Sequence, residues 1–233
     1  VNTASVRVFF LTHFHADHYG GLSDGFRQGF VYCHAITREL VLLKFRLDPS
    51  VVKAVPIGEP TTLKIGSDNI AFTFLPADHC PGSVMIFFET ATGNYFFTGD
   101  CRYTPSMRPL LLKYGARAPN VLFLDTTFAR PPFRVFPSRE AVLDDLIEFI
   151  KAQPRTHRVL IEAGNLGPEQ LLLQLACRLR VQLFVDDKRR AQLLAIDRAF
   201  AAHLADSAQA TRIHICPPRT FFAQKKAPPM CVC

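Results

Sequence analysis

The sequence has none of the features that mark membrane, secreted or disulfide-rich proteins. No apolar run approaches the roughly 18 residues that a membrane-spanning helix needs, so we expect no membrane association. No basic segment followed by an apolar stretch and a small-residue cleavage site opens the chain, and we expect no secretory signal. The seven cysteines are odd in number and scattered, which is not the pattern of a disulfide framework. Reduced thiols in a nuclear or cytosolic protein are therefore the expectation.

Tryptophan is absent, and acidic residues are fewer than basic ones. The 27 Lys and Arg residues against 20 Asp and Glu leave a net charge of +7 and a pI of about 9.2. A basic balance favours polyanionic partners through long-range attraction, although it does not bear on the fold. The hydrophobic content of 48% over 233 residues is enough for one large or two modest domains with their own cores.

Two patterns of hydrophobicity divide the chain. Residues 1–128 contain short apolar and β-branched segments separated by turns, which predict strands in VRVFFLT, IAFTFLP, SVMIFFET, NYFFTGD and VLFLDTT. From 129 to 216 a proline-rich crossover, ARPPFRVFPS, is followed by alternating helical and strand periods. That alternation predicts a parallel sheet covered by helices. Residues 217–233 show neither period and are expected to form a loose tail.

Local patterns make three further predictions. The apolar run from 121 to 127 indicates a buried strand. Residues 36–45 indicate a helix that ends before Pro49. The residues expected on the inner side of this helix are Leu40, Val41 and Leu43. The basic triplet Lys188-Arg189-Arg190 lies at the start of another predicted helix, where a solvated helix face is the commoner interpretation and contact with nucleic-acid phosphates is the alternative.

A cluster of metal-ligand side chains follows the first predicted strand. The segment VFFLTHFHADHYGG, Val8 to Gly21, places three histidines and an aspartate within six residues. Side chains alternate along an extended chain, so His13, His15 and Asp17 project in one direction, and a turn allows His18 to join them. Two imidazoles two residues apart can hold one metal ion, and the Asp-His pair that follows can hold a second. Imidazole and carboxylate are ligands that zinc favours where one position stays open for water.

Two later segments place the same residue types at strand ends. PADHCPGS brings His79 directly after IAFTFLP, and TGD brings Asp100 directly after NYFF. The carboxyl ends of strands are where layered α/β folds collect their sites. The segments together predict a metal centre.

These motifs resemble those of a known family. THFHADH is similar to the His-x-His-x-Asp-His motif of the metallo-β-lactamase fold, and HCPGS and TGD resemble its third and fourth motifs. HCPGSVM, GDCRYTPSM and LDTTF resemble the DNA cross-link repair nucleases of the Artemis and Apollo group. The resemblance implies an α/β class, with an incomplete αββα metallo-β-lactamase sandwich at 1–128. A partial β-CASP domain with a parallel sheet and helices is implied at 129–216.

The resemblance also implies roles for individual residues. A first zinc site would be formed by His13, His15, His79 and Asp100. Asp100 would bridge to a second, weaker site completed by Asp17 and His18. The expected catalytic carboxylates are Asp17, Asp100 and Asp125. Asp125 matches the acidic residue of the first β-CASP motif. Residues expected to contact a nucleic-acid backbone, because they are basic and follow TGD closely, are Arg102, Arg108 and Lys113.

The function implied by the resemblance is that of a zinc-dependent DNA nuclease that trims 5′ ends. It would act as an exonuclease or endonuclease in interstrand cross-link and double-strand-break repair (including non-homologous end joining). DNA and repair-complex proteins would be its partners and the nucleus its compartment. Metal-assisted hydrolysis of the phosphodiester would need no serine or cysteine nucleophile. One alternative is an RNA-processing β-CASP nuclease. Another is a truncated form that binds metal or partners without turnover.

The sequence departs from the family pattern in two respects. A histidine in a segment like DHSS, which normally supplies a further ligand to the second metal, is absent from the chain. The strand ending in aspartate before VRVFF and the closing half of the lactamase sandwich are also missing. Because the first residue is a valine within strand-like sequence, we expect a partial record or a truncated product.

Overall fold

The computed structural model describes residues 5–115, 117, 119–133, 135, 137–164 and 166–217. The backbone divides into two compact units between Arg130 and Pro131, at the proline-rich crossover. The assignment of these units to a lactamase and a β-CASP domain stays a prediction. The predicted loose tail lies outside the described residues, apart from its first residue.

Two sheets and two helices form the first unit. Its elements in chain order are β1 Val8–Phe10, β2 Phe30–Cys33, α1 Ala35–Lys44, β3 Val52–Ala54, β4 Thr61–Ile65, β5 Asp68–Pro76, β6 Val84–Thr90, β7 Gly93–Phe97, α2 Arg108–Gly115 and β8 Val121–Phe123. The strands β1, β2 and β3 form a parallel sheet, whereas β4 to β8 form a second sheet in sequence order. Of the pairings described in the second sheet, β7–β8 is parallel and the others are antiparallel.

The two sheets pack face to face between the two helices. Phe10 and Tyr32 of the first sheet contact Phe72 of the second, with ring centroids 4.9 and 5.9 Å apart. On the outer face of the second sheet, Phe87 packs against Tyr114 of α2. On the first sheet, α1 contacts β3. The layers are therefore helix, sheet, sheet and helix, and the predicted mixed α/β class is confirmed.

Two burial predictions for the first unit are wrong. The strand β8 is predicted to be buried, but Val121, Leu122 and Phe123 are 39%, 52% and 50% exposed. Among the described strands β8 pairs with β7 alone, so it is the edge of the sheet. In α1, Leu40 and Val41 are buried as predicted, but Leu43 is 50% exposed. Leu43 lies roughly 110° around the helix from the centre of the buried stripe, which explains its exposure.

The second unit alternates helices and strands as predicted. Its elements are α3 Arg139–Ala152, β9 Val159–Glu162, α4 Glu169–Leu179, α5 Asp187–Ile196 and β10 Ile213–Cys216. The strands β9 and β10 pair in parallel, and the helices bury Leu143, Leu172 and Leu193 in a common core with them. The helices α3 and α5 begin at side-chain caps, since Ser138 and Asp186 accept backbone N–H groups of their first turns. In the part of the chain that the structure describes, no helix has the length and apolar character needed to cross a membrane.

The basic triplet does not form a solvated helix face as predicted. Lys188 is exposed, but Arg189 is only 8% exposed. The Nη2 atom of Arg189 donates a hydrogen bond of 2.8 Å to Oε1 of Glu169, which is 2% exposed. Arg190 donates to the carbonyl oxygen of Ala205. Two of the three basic side chains are thus engaged inside the second unit.

Candidate metal centre

Strand direction brings the predicted ligands to one edge of the first unit. Because β6 is antiparallel to both β5 and β7, and β8 is parallel to β7, the strands β5, β7 and β8 run the same way. His79, Asp100 and Asp125 follow the carboxyl ends of these three strands. The end of β1 joins the same edge, since the N–H of Val84 donates to the carbonyl oxygen of Thr12 at 2.9 Å.

The first predicted ligand group converges in space. His13, His15, His79 and Asp100 each offer one ligand atom, and all four atoms lie within 4.8 Å of one another. Nε2 of His79 lies 3.1 Å from Nδ1 of His15. Oδ2 of Asp100 lies 3.7 Å from Nε2 of His13 and 3.6 Å from Nε2 of His79. Residues as far apart in the sequence as 13 and 100 thus face one point.

The second group shares Asp100 with the first. Asp17, His18 and Asp100 offer ligand atoms within 4.8 Å of one another. Nε2 of His18 lies 3.3 Å from Oδ1 of Asp100 and 3.6 Å from Oδ2 of Asp17. Asp100 therefore presents Oδ2 to one group and Oδ1 to the other, which is the arrangement expected of a bridging carboxylate.

The chemistry of the first group suits a divalent cation. His13 is fully buried, and its Nε2 atom has no hydrogen-bond partner among the described residues. Burial, followed by the neighbouring His18, His15 and His79 imidazoles, lowers the pKa of His13 to about 3. The ring is therefore neutral at pH 7, so one of its two nitrogens has a free lone pair. Burial is also the main cause that lowers the pKa of His79. Unprotonated nitrogens beside a carboxylate form the donor set of a metal ion, so these residues fit one.

A match to a protein-family sequence model shows the family to which this chain belongs. The sequence model described as "Beta-lactamase superfamily domain" matches residues 2–185. The chain belongs to the beta-lactamase superfamily. Among curated proteins, the chain is 33% identical over 215 residues to the DNA cross-link repair protein SNM1 of Arabidopsis thaliana. It is 36% identical over 217 residues to the 5′ exonuclease Apollo of Mus musculus.

These matches cover most of the chain but a minority of each relative. Both cover 90% of this chain, and 43% of SNM1 and 38% of Apollo. Protein artemis of Mus musculus is 33% identical over 204 residues, covering 77% of this chain and 29% of that protein. The predicted resemblance to the cross-link repair group is thereby confirmed. The chain spans about two fifths of the length of SNM1 and Apollo.

A solved structure supports the fold. A protein of unknown function from Enterococcus faecalis V583 aligns with a TM-score of 0.60 at 17% identity. The alignment covers 91% of this chain and 55% of the other. At this identity the likeness concerns the fold alone.

In this beta-lactamase superfamily chain, a tight loop after β5 holds His79. The hydroxyl of Ser83 accepts the backbone N–H groups of His79 and Cys80, both at 3.2 Å. Asp78, immediately before His79, has a positive φ of 52°. Gly82, also in the loop, has a φ of +78° and its carbonyl oxygen accepts a 2.8 Å hydrogen bond from the Thr37 hydroxyl of α1. The position of His79 thus depends on contact between this loop and α1.

Replacement of Gly82 by alanine is expected to destabilise the first unit by about 2 kcal/mol or more, because a Cβ needs both a left-handed backbone and space. A Cβ at Gly82 would lie 2.7 Å from Oγ1 and 2.9 Å from the backbone nitrogen of Thr37. Gly58→Ala is the matched control, since its φ is +83° and nothing lies within 4 Å of the added Cβ. Urea unfolding of both variants measures the difference. Equal losses would show that the contact with α1 contributes nothing.

Asp125 lies beside the ligand groups but belongs to neither of them. Its Oδ2 accepts the backbone N–H of Cys101 at 3.1 Å, and its Oδ1 accepts that of Thr127 at 2.9 Å. Partial burial raises the pKa of Asp125, but the hydrogen bonds from Thr127 and Cys101 and the nearby His79 together lower it below its usual value. Asp125 is therefore ionised at neutral pH and fixes the chain just after Asp100. Its catalytic role stays a prediction.

The predicted nucleic-acid contacts differ in their placement. Arg102 is exposed two residues after Asp100, and its backbone N–H donates to the carbonyl oxygen of Ala77 at 3.1 Å. Arg108 and Lys113 are exposed on α2. Among the described residues, no hydrogen bond, ion pair or ring contact joins these two to the six ligand residues, and Lys113 lies over the ring of Tyr114. Their contact with a substrate stays a prediction.

For three residues with hydroxyl side chains at the site, the sequence predicted no role. They are Thr12, Ser83 and Thr98. Thr98 accepts the N–H of Asp125 at 2.8 Å, and Thr12 contacts two imidazoles. The available signal was their position, because each lies within a few residues of a ligand motif at a strand end. Asp125, the partner of Thr98, lies 27 residues away, and the contacts of Thr12 and Ser83 depend on how the loops after β1 and β5 fold. A sequence motif reveals neither.

Proposed function

We propose that this chain carries the catalytic centre of a zinc-dependent DNA nuclease that processes 5′ ends. The proposed roles are in interstrand cross-link and double-strand-break repair in the nucleus. The observation that supports this most is the convergence of six histidine and aspartate side chains into two groups that share Asp100. Relatives named as a cross-link repair protein and a 5′ exonuclease support DNA as the substrate.

Zinc is proposed because of the donor set in the first group. Three imidazoles and one carboxylate match the nitrogen and oxygen ligands of catalytic zinc sites. When bound, the metal supplies a water acidified toward neutrality and positive charge for the phosphate oxygens. The second group offers two residues besides Asp100, so the second metal is proposed to bind more weakly.

The side chains around the groups suit a substrate that arrives from solvent. Asp17 is 77% exposed, and Asp100 and His79 are 40% and 29% exposed, while His13 is buried beneath them. Burial keeps the ring of His13 neutral at the base of the site, and Asp125 holds the Cys101 backbone beside Asp100. Arg102 is proposed to contact the DNA backbone near the reacting phosphate. The net charge of +7 favours approach of a polyanion.

The combined change His13→Ala and Asp17→Ala is expected to lower nuclease activity by at least about a thousandfold, because it removes one ligand from each group and with them the metal-assisted attack. The measurement is release of nucleotides from a labelled single-stranded DNA with a 5′ phosphate, in the presence of zinc. A matched control replaces the exposed His157 and Asp206, which lie outside both groups, with alanine.

The alternatives predict different results in the same assay. Faster cleavage of a matched RNA strand than of the DNA strand would support an RNA-processing nuclease instead. Zinc binding and a cooperative unfolding transition without turnover on either strand would support a non-catalytic form. Equal DNA cleavage by the double variant and the original chain would contradict any role of the metal centre.

A further inference from the structure

One hydroxyl group contacts both ligand groups. Oγ1 of Thr12 lies 3.1 Å from Nδ1 of His13 and 3.5 Å from Nδ1 of His18. His13 belongs to the first group and His18 to the second. In both rings the other nitrogen, Nε2, is the atom that faces Asp100, at 3.7 Å for His13 and 3.3 Å for His18.

The tautomers of imidazole explain why the contact with Thr12 matters for metal binding. A neutral ring has one protonated and one unprotonated nitrogen, so a ring that binds a metal through Nε2 carries its hydrogen on Nδ1. A threonine hydroxyl oxygen has two lone pairs and can accept one N–H from each ring. A partner on the second nitrogen fixes both the tautomer and the orientation of a metal-binding histidine. A single oxygen can therefore hold His13 and His18 in the tautomer that suits a metal.

Thr12 is itself held in place through its backbone and its side chain. Its carbonyl oxygen accepts the N–H of Val84 at 2.9 Å, at the start of β6. A Cβ added at Gly99 would lie 3.2 Å from both Cβ and Cγ2 of Thr12, so the Gly99 backbone packs directly on this side chain. Gly99 immediately precedes the shared ligand Asp100. The hydroxyl is thus positioned relative to His13, His18 and Asp100 together.

We infer that Thr12 is a positioning residue that couples the two metal groups by holding the Nδ1 atoms of His13 and His18 with one hydroxyl. This inference rests on the proposed function in one respect, namely that the two groups bind metal. Thr12 is not one of the six ligand residues, but both metal groups would depend on it.

The test compares Thr12→Val, which has nearly the same shape but no hydroxyl, with Thr12→Ser, which keeps the hydroxyl. Zinc is titrated into each metal-free chain in competition with a chromophoric chelator. Thr12→Val is expected to weaken binding of both zinc equivalents by roughly 10- to 100-fold, whereas Thr12→Ser stays within about threefold. Nitrogen-15 NMR of the histidine side chains in the zinc-loaded chain should show Nδ1–H tautomers for His13 and His18, and a mixture in Thr12→Val.

A matched control is available in Thr73. This threonine is buried in β5, and its hydroxyl has no hydrogen-bond partner among the described residues. Thr73→Val is expected to leave zinc affinity unchanged and to be neutral or slightly stabilising, because an unpaired buried hydroxyl is removed. Tyrosine fluorescence of the metal-free variants reports whether the first unit stays folded.

Three results would overturn the inference while leaving the proposed function intact. They are unchanged zinc affinity in Thr12→Val, equal losses in Thr12→Ser and Thr12→Val, and a loss confined to one zinc equivalent. Zinc affinities that follow the expectation, in a chain that does not cleave DNA or RNA, would support the inference and contradict the proposed function. A chain that binds no zinc would overturn both.

Discussion

Replacement of Asp100 by asparagine is expected to abolish nuclease activity, with a loss of at least about a thousandfold, and to reduce bound zinc at both groups. Asp100 is the one residue common to both groups, with Oδ2 near His13 and His79 and Oδ1 near His18. Asparagine preserves the shape but removes the negative charge and one of the two oxygens. No other single substitution among the described ligand residues removes a donor from both groups at once.

The measurements for this prediction are zinc content after equilibrium dialysis and cleavage of labelled single-stranded DNA. Asp68→Asn is the matched control, because Asp68 is exposed and its carboxylate accepts a hydrogen bond from the neighbouring Ser67 hydroxyl. Asp100 is 40% exposed, so its replacement is expected to leave the unfolding transition of the metal-free chain in place. Retention of two zinc equivalents in Asp100→Asn would contradict the bridging role.

The convergence of the candidate ligands could be predicted from the sequence because each of the three segments that carry them follows an apolar strand. His13, His79 and Asp100 stand where strand periodicity stops, and strand ends of one direction meet at one edge. The assignment of His79 and Asp100 to these groups required the family resemblance, since spacing alone does not say which strand ends are neighbours. The structure brings the strand ends together through the pairing order β5, β6, β7 and β8.

Two of the failed predictions, those for β8 and Arg189, share a physical cause. The apolar run of β8 has the composition of a core strand, but its position at the sheet edge leaves Leu122 52% exposed. Arg189 has the composition of a solvated helix turn, but Glu169, twenty residues earlier, draws it into the second unit. Burial in both cases is decided by a neighbour that is distant in the sequence. Local periodicity contains no information about that neighbour.

The Glu169–Arg189 pair is expected to make the stability of the second unit unusually sensitive to single substitutions. Loss of hydration raises the pKa of Glu169 and lowers that of Arg189, and in each case the opposite charge of the partner only partly offsets the effect. The two charges therefore tolerate burial because they are paired. Oε2 of Glu169 also accepts the N–H of Gly167 at 2.7 Å, before α4 begins.

Glu169→Ala is expected to destabilise the second unit by about 3–5 kcal/mol, because it leaves the Arg189 charge buried without its carboxylate. Few other groups can take the place of the Glu169 carboxylate, since the Nη1 atom of Arg189 already lacks a hydrogen-bond partner among the described residues. By contrast, the double change Glu169→Leu and Arg189→Met is expected to cost much less, because both desolvated charges are removed together and only the hydrogen bond from Gly167 is lost. The single change thus should be worse than the double one.

The stability of each unit can be measured separately for these variants. All five tyrosines, at positions 19, 32, 95, 103 and 114, precede the division at Arg130, and the chain has no tryptophan. Tyrosine fluorescence therefore reports the first unit, whereas hydrogen exchange of peptides covering Val159–Glu162 and Ile213–Cys216 reports the second. Asp144→Ala is the control, because its ion pair with Arg178 is about half exposed and should contribute less than about 1 kcal/mol. If Glu169→Ala increased exchange in β9 and β10 no more than Asp144→Ala does, the buried pair would contribute nothing to the stability of the second unit. Solvent would then have to reach the guanidinium of Arg189 in the variant.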